Sequence, residues 1–483
     1  MGGAKSESLP HVPLLRGGEV YRSLSTSTLT DLRTGETVAE MSQALPGMIS
    51  RDLLDAEKSR RALEEHSTEE LVAICRRAAA LFLDAELPLA EPDGVLQSRD
   101  DYLQQLAATA GMPVAMGRSN MDKIVRTLES MEAVLGGLTR GLDLTILDQG
   151  YGVQDDRRLS YLRQADSLGV VLPNNSPGVH TLWLPSIPLK TPLTLRPGSA
   201  EPWTPLRICQ AFLAAGCPPQ ALGLYPSGHD GANQVLLSCR RAMVFGDQST
   251  VERWSSDLRV QAHGPGWSKV FLDRAEGENW RQHLDLIAES VAANGGRSCI
   301  NLSSVRTAAA GRELALALAE RLAAVEARPL DDSDAELAAF ANPAVARRIS
   351  EIIDQQLAQG GAEDLTARFR SGGRVAEAGG CTFLLPTVIW CDEPSHPLAE
   401  AEYGFPFVSV LEVPEDQLVE TACLTLVATV LGEGSDLRRR ALAAEHIDRL
   451  NFGAIPTHHI AWDQPHEGNL FDHLYKQRAF QAA

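Results

Sequence analysis

The chain has 483 residues, and its 44 Lys and Arg against 63 Asp and Glu leave a net charge of −19 at pH 7. That length holds two or three domains of about 100 to 200 residues each, and a composition of 44% hydrophobic and 22% charged residues excludes wholesale disorder, collagen-like repeats and coiled coil. A pI near 5.1 opposes nucleic acid and anionic lipid, which are held by clustered Lys and Arg, so neither is expected as a partner.

In chain order, residues 1–20 lack an apolar core of signal-peptide length, and no stretch approaches the roughly 20 apolar residues that span a bilayer. The expectation is a soluble, cytoplasmic protein. The first 40 residues are polar and irregular, with SLSTSTLT reading as an ordered tail or arm. Three segments of helical period follow, at 59–86, 98–110 and 120–138. From 144 to 163 the pattern turns to short extended pieces, LTILDQG and RRLSYLRQ, which suits a hairpin arm.

Next, LGVVL at 168–172 is a continuous apolar run, as expected of a strand covered on both faces. Alternation then predicts strand 193–196, helix 204–215 ended by Gly216, strand 221–225, helix 231–239 and strand 242–245. Strands separated by helices imply a parallel sheet with right-handed crossovers. A second α/β block runs from 270 to about 450, with helices at 280–293 and 312–327 and strands at 383–387 and 408–413.

Three local patterns can carry chemistry. NGGRSC at 294–299 holds Cys299 after two glycines, where a tight turn lets backbone N–H groups lower the thiolate pKa and face an oxyanion. LPNNSPG at 172–178 follows the apolar strand and offers an Asn amide as an oxyanion donor. SGHDG at 227–231 opens a helix after a strand, where N–H groups and the helix dipole favour phosphate, without the full GxGxxG fingerprint. Each alone also fits a purely structural turn. The eight Cys include no CxxC pair and no zinc-site spacing, so free thiols and no metal are expected, the His-rich tail at 458–473 included.

Together and in this order, from about residue 60 onward, these pieces resemble the aldehyde dehydrogenase superfamily. LGVVLPNNSPG looks like the family's strand and turn that carry an Asn, here Asn175 behind Pro173. PLTLRPG resembles the strand whose basic residue meets the adenosine ribose or phosphate, with Arg196 where Lys is usual; TPLRICQAFLAAGCPPQALGLYPSG resembles the helix, turn and strand that follow, with Gly228 and Gly231 near the diphosphate. MVFGDQST is similar to the Gly-Ser turn beside the nicotinamide half, with Phe245, Gly246 and Asp247, the last where Ser is usual. NGGRSC resembles the nucleophile motif, and FLLPTVI and AEYGFPFVSV resemble later stretches that put Glu402 or Glu400 near the nicotinamide ribose and residues 405–407, with Phe407, beside the ring.

The resemblance implies an α/β, aldehyde dehydrogenase-like fold: two doubly wound parallel-sheet domains, cofactor and catalytic, plus a small oligomerisation arm. The implied division is 1–140 N-terminal arm and helical part of the cofactor domain, 141–164 oligomerisation hairpin, 165–265 Rossmann-like cofactor domain, 266–450 catalytic domain and 451–483 an atypical C-terminal segment near the substrate entrance. A homodimer is expected, and the short tail puts the family's closing strand in doubt.

Departures narrow the chemistry. Hydrolytic members carry a Glu that activates water, but the corresponding stretch here is QAHGPG, with Ala262 at the Glu position. HGPGWSKVFLD, with Gly264, is instead similar to the form found in CoA-acylating aldehyde dehydrogenases and acyl-CoA reductases. The implied function is interconversion of an aldehyde and an acyl-CoA thioester through Cys299, with Asn175 on the oxyanion, NAD(H) or NADP(H) as coenzyme and coenzyme A as co-substrate. Arg196 could pair with a 2′-phosphate and Glu201 with ribose hydroxyls; the acidic setting leans towards NAD(H). His466 or Glu467 is a candidate replacement base. The alternatives are a hydrolytic NAD(P)-dependent dehydrogenase and a non-catalytic member that keeps the fold.

Overall fold

The computed structural model describes residues 9–90 and 94–481, which divide into two compact units. The first holds residues up to 110, 117–263 and 461 onward; the second holds 111–116 and 264–460. Among the described residues no helix is long and apolar enough to cross a membrane.

The first unit is built on a seven-stranded sheet in the order Val260–His263, Arg241–Phe245, Leu168–Val171, Leu193–Arg196, Leu222–Leu224, Leu14–Arg16, Glu19–Tyr21. The first five strands are parallel and the last two antiparallel. All four residues of Leu168–Val171 are buried, the pattern of a strand covered by helices on both faces. Helix Trp203–Ala214 buries ten of its twelve residues, and Gly216 at φ +91° ends the turn after it, a conformation that costs an L side chain about 1–2 kcal/mol. The chain leaves the central strand Leu168–Val171 first to one side and later to the other, so the strand order reverses beside it.

Several expectations in this unit need correction. The polar N-terminus is not an irregular tail: Thr26–Thr30 pairs with Thr37–Ser42, which also pairs with His11–Val12, and Leu14–Arg16 extends the large sheet. The segment 59–86 is two helices, Ala56–Glu64 and Thr68–Asp84, separated by Ser67, whose capping box with Glu70 starts the second. LTILDQG is helical at Thr145–Gln149 and stops at Gly150, left-handed at φ +81°. RRLSYLR is a strand, Arg157–Arg163, pairing with Tyr151–Gln154 on one side and with Tyr475–Gln477 on the other. A closing strand is thus present.

The second unit has a sheet in the order Ala362–Asp364, Thr387–Cys391, Phe407–Glu412, Leu302–Thr307, Ser268–Leu272, Thr425–Leu431, Ile447–Phe452, parallel except for its first strand. Side chains alternate between two cores: Val270, Leu272, Val408 and Val410 pack with Leu314 and Leu318 of helix Gly311–Ala323, while Phe271, Phe407 and Leu411 pack with Ala346 and Ile353 of helix Pro343–Leu357. Each fully buried aliphatic or aromatic side chain contributes roughly 1.5–3 kcal/mol. The predicted strand 383–387 is two strands: Cys381–Leu384 pairs with Val375–Ala378, and after Pro386 the strand Thr387–Cys391 joins the sheet.

Candidate active site

Cys299 sits in the second unit between helix Leu284–Ala292 and strand Leu302–Thr307. Three consecutive residues before it are left-handed: Asn294 at φ +52°, Gly295 at +62° and Gly296 at +69°. Such strain persists where the surroundings over-determine the backbone, and here they do. A Cβ on Gly296 would lie 2.3 Å from the Phe405 carbonyl carbon and Pro406 nitrogen. The Asn301 amide donates to the carbonyls of Ser290 at 3.1 Å and Ala293 at 2.8 Å, and its oxygen accepts from Ser298 N–H at 2.8 Å. Asn294 donates to Ser298 Oγ at 3.1 Å. The Arg297 guanidinium donates to the Ala339 carbonyl, and burial pushes its pKa down to about 10. The turn is therefore rigid before any substrate arrives, and Cys299 itself is only partly buried.

The residues facing this turn hold it from below. Ser268 Oγ donates to the Cys299 carbonyl at 3.0 Å, and Gly266 packs so closely that a Cβ would fall 1.8 Å from that oxygen. Glu402, expected near the nicotinamide ribose, accepts from Gly266 N–H at 3.0 Å and also from Trp267 N–H. Glu400 is the countercharge of two fully buried cations, Lys269 at 2.9 Å and Arg306. Burial raises the Glu400 carboxyl, but Lys269 and Arg306 outweigh it and hold it below the usual range. Phe407, expected beside the nicotinamide, is 3% exposed and lies in the core, edge-on to Tyr403.

The other thiols are unlike Cys299 in their surroundings. Burial raises Cys75, Cys209, Cys217, Cys239 and Cys391 far above the usual thiol range. Cys423, 2.7 Å from Glu400 Oε2, is pushed up to about 11 by burial, with Glu400 adding to the rise.

In the first unit, the crevice where strand order reverses lies at the carboxyl ends of Leu168–Val171 and Arg241–Phe245, the place where doubly wound sheets take ligands. Pro173, Asn175, Gly246 and Asp247 follow these two strand ends directly. Asn175 is exposed, whereas its neighbour Asn174 pins the turn by accepting from Ala200 N–H at 2.8 Å. Helix His229–Ser238 starts at Gly228 with no side chain capping it, so its first N–H groups suit a diphosphate. Gly231 leaves room for Ser227, whose Cβ would otherwise be 2.4 Å away from an added methyl. These features fit a dinucleotide.

Three expected contacts differ. Asp247 caps helix Gln248–Trp254, accepting from Thr250 N–H at 2.9 Å and Ser249 Oγ at 2.7 Å; these bonds, Ser249's first, hold its carboxyl low, so an anion already occupies that helix start. Arg196 donates to the Ser227 carbonyl at 2.6 and 3.0 Å, which ties strand to turn instead of reaching outward. Glu201 is 3% exposed and accepts from Thr204 N–H at 2.8 Å, with its other oxygen 3.5 Å from His180.

The candidate bases in the tail converge on a residue the sequence reading passed over. Glu467 Oε2 lies 3.1 Å from His263 Nδ1, and Glu467 Oε1 lies 3.8 Å from His466 Nε2. His263 ends strand Val260–His263, next to Ala262, and the Phe245 ring stacks on its imidazole at 4.6 Å. A sequence separation of 204 between His263 and Glu467 hides the pair from any local motif. Gly264 belongs to the segment that follows.

The chain thus has two α/β units with parallel sheets, the first with a crevice where its strand order reverses and the second with Cys299 after a glycine turn. Residues 27–425 match the sequence model of the Aldehyde dehydrogenase family, and the chain belongs to that family. It is similar to 1-pyrroline-5-carboxylate dehydrogenase from Thermus thermophilus, with 16% identity, a TM-score of 0.77 and coverage of 97% of this chain and 92% of that one. Indole-3-acetaldehyde dehydrogenase complexed with NAD+ is likewise 16% identical, at a TM-score of 0.77, covering 97% and 95%. Aldehyde dehydrogenase 21 from Physcomitrella patens, in complex with the reaction product succinate, is 15% identical, at a TM-score of 0.76, covering 98% of each chain. No curated protein matched the chain by sequence.

Proposed function

We propose that the chain interconverts an aldehyde and an acyl-CoA thioester with a nicotinamide coenzyme, through a covalent intermediate on Cys299. The observation that carries this reading is the pairing of a pre-formed thiol turn with the absence of an acid at Ala262, on a strand that ends in Gln261, Ala262 and His263. A thioester that must wait for a thiol acceptor is preserved where water is not armed. When bound, the coenzyme accepts or supplies the hydride. Cys299 attacks the carbonyl, and its own N–H with the Asn175 amide receives the developing oxyanion. The uncapped helix at Gly228 and Gly231 takes the diphosphate, and with Arg196 spent on Ser227 the coenzyme is NAD(H) rather than NADP(H). The protein is proposed to act in the cytoplasm as a homodimer.

The test is to follow reduced-nicotinamide absorbance with purified protein across a panel of acyl-CoA thioesters, with Cys299→Ala as control. Coenzyme oxidation that needs both the thioester and Cys299 supports the reading. A second reading, hydrolytic oxidation to a carboxylic acid, is favoured by the likeness to a plant enzyme that holds succinate as product. Aldehyde oxidation at a rate that coenzyme A does not raise selects it.

A further inference from the structure

The turn that carries Asn175 is tethered on either side of that residue. Before it, the Asn174 side-chain oxygen accepts from Ala200 N–H at 2.8 Å, and a Cβ on Gly198 would lie 2.3 Å from the same oxygen. After it the tether is Asn120, on helix Val114–Glu129 and 5% exposed. The Asn120 amide oxygen accepts from Ser176 Oγ at 3.2 Å and from Gly178 N–H at 3.1 Å. Gly178 N–H is shared with Ser176 Oγ at 3.2 Å, so helix, hydroxyl and backbone form one closed set of bonds. An added Cβ at Gly178 would stand 3.2 Å from Asn120 Oδ1, 3.3 Å from Ser176 Oγ and 3.4 Å from Lys123 Nζ; a glycine there lets the helix close on the turn. Burying an amide costs free energy unless hydrogen bonds offset it, and these two bonds both go to the turn. Ser176 and Gly178 are buried, whereas Asn175, between the tethers, is exposed. All of these residues belong to the first unit.

We propose that Asn120 is a positioning residue: it fixes the backbone from which Asn175 meets the oxyanion, and this rests on the reading of Asn175 as oxyanion donor given above. Asn120 acts through Asn175 alone; it makes and breaks no bond and takes no proton. An oxyanion donor gains its effect from being in place before the charge develops, with no reorganisation left to do. A displacement of about 1 Å can cost about 10²-fold in rate. A residue on a loose loop samples many backbone and rotamer states, but with Asn174 and Ser176 both tethered only the backbone of Asn175 lies between the anchors. The role is the same whether the acyl group leaves to coenzyme A or to water, because the oxyanion forms in either case.

The test is a double-mutant cycle read as kcat and KM with NAD+ and the aldehyde found active in panel assays. Asn120→Leu is expected to lower kcat by about 10- to 100-fold with KM kept within about threefold. Asn120→Asp, which keeps an acceptor oxygen for Ser176 and Gly178, recovers most of that loss. In an Asn175→Ala background, itself slowed by about 10²- to 10³-fold, Asn120→Leu adds less than about twofold, because the group it positions is gone. An unchanged kcat in Asn120→Leu, an equal loss in both backgrounds, or no recovery in Asn120→Asp would assign Asn120 to packing and overturn the inference. Should Asn120→Leu not fold, Gly178→Ala, which wedges the same contact from the turn, is read in the same two backgrounds. Amide hydrogen exchange needs no substrate: exchange made faster by the substitution and confined to 172–180 is expected, and unaltered exchange there overturns the inference. Activity that Asn175→Ala leaves intact overturns the oxyanion reading and the inference with it, a failure told apart because it appears without any change at Asn120.

Discussion

At the scale of single residues, the environment of each thiol decides its chemistry. Five cysteines are raised far out of range by burial, and Cys423 is pushed up to about 11, while Cys299 sits partly exposed on its glycine turn. Alkylation of the native protein at neutral pH is expected to modify Cys299 well ahead of these six, read by peptide mass spectrometry; equal, slow labelling of all would contradict it. A second residue sets a pH limit. Burial, with Arg241 adding to it, pushes His473 from 6.5 to about 4. It stays neutral in the fold and charges when unfolded, so the unfolded chain binds more protons between these values and stability falls as pH drops through that window. The loss is of order 3 kcal/mol at most, at 1.36 kcal/mol per unit. Urea midpoints measured at pH 7 and pH 5 should differ more for the wild type than for His473→Phe.

At the scale of elements, the nucleophile turn and the helix starts are where small changes matter. Gly296→Ala places a Cβ 2.3 Å from backbone atoms of Phe405 and Pro406 at a φ of +69°. The conformational strain alone is about 1–2 kcal/mol, and the clash must displace the turn, so both the melting temperature and the labelling rate of Cys299 are expected to fall. Asp247→Ser keeps a capping oxygen for Thr250 N–H and removes an anion from the start of Gln248–Trp254. Release of a like charge worth about 0.3–1 kcal/mol should lower the KM for NADH by about two- to fivefold; an unchanged or raised KM would show that the Asp247 carboxylate does not oppose the coenzyme. The elements that a sequence reading finds are those whose burial is written locally. LGVVL is apolar throughout because both faces are covered, and NGGRSC shows its turn in its glycines. LTILDQG misleads because its β-branched residues sit in a single helical turn closed by Gly150, and SLSTSTLT hides a strand that pairs with its own neighbours and buries only Leu29.

At the scale of the whole molecule, what the sequence leaves out are relations between distant segments. The strand Tyr475–Gln477 finds its partner in Arg157–Arg163 across some three hundred residues, and Glu467 reaches His263 in the same way, so no periodicity or spacing announces either. Arg196 and Glu201 are legible as charged residues near a predicted crevice, yet only the fold reveals that Ser227 and Thr204 have already claimed them. The central claim is that Cys299 carries the acyl group. It is tested most directly by mixing the protein with the acyl-CoA identified in the panel assay, without coenzyme, quenching in acid and locating the added mass by peptide mass spectrometry. The account predicts one acyl group per chain, on the peptide containing Cys299 and absent from Cys299→Ala. An unmodified Cys299 in protein that still turns over, or the acyl group on another residue, would contradict it.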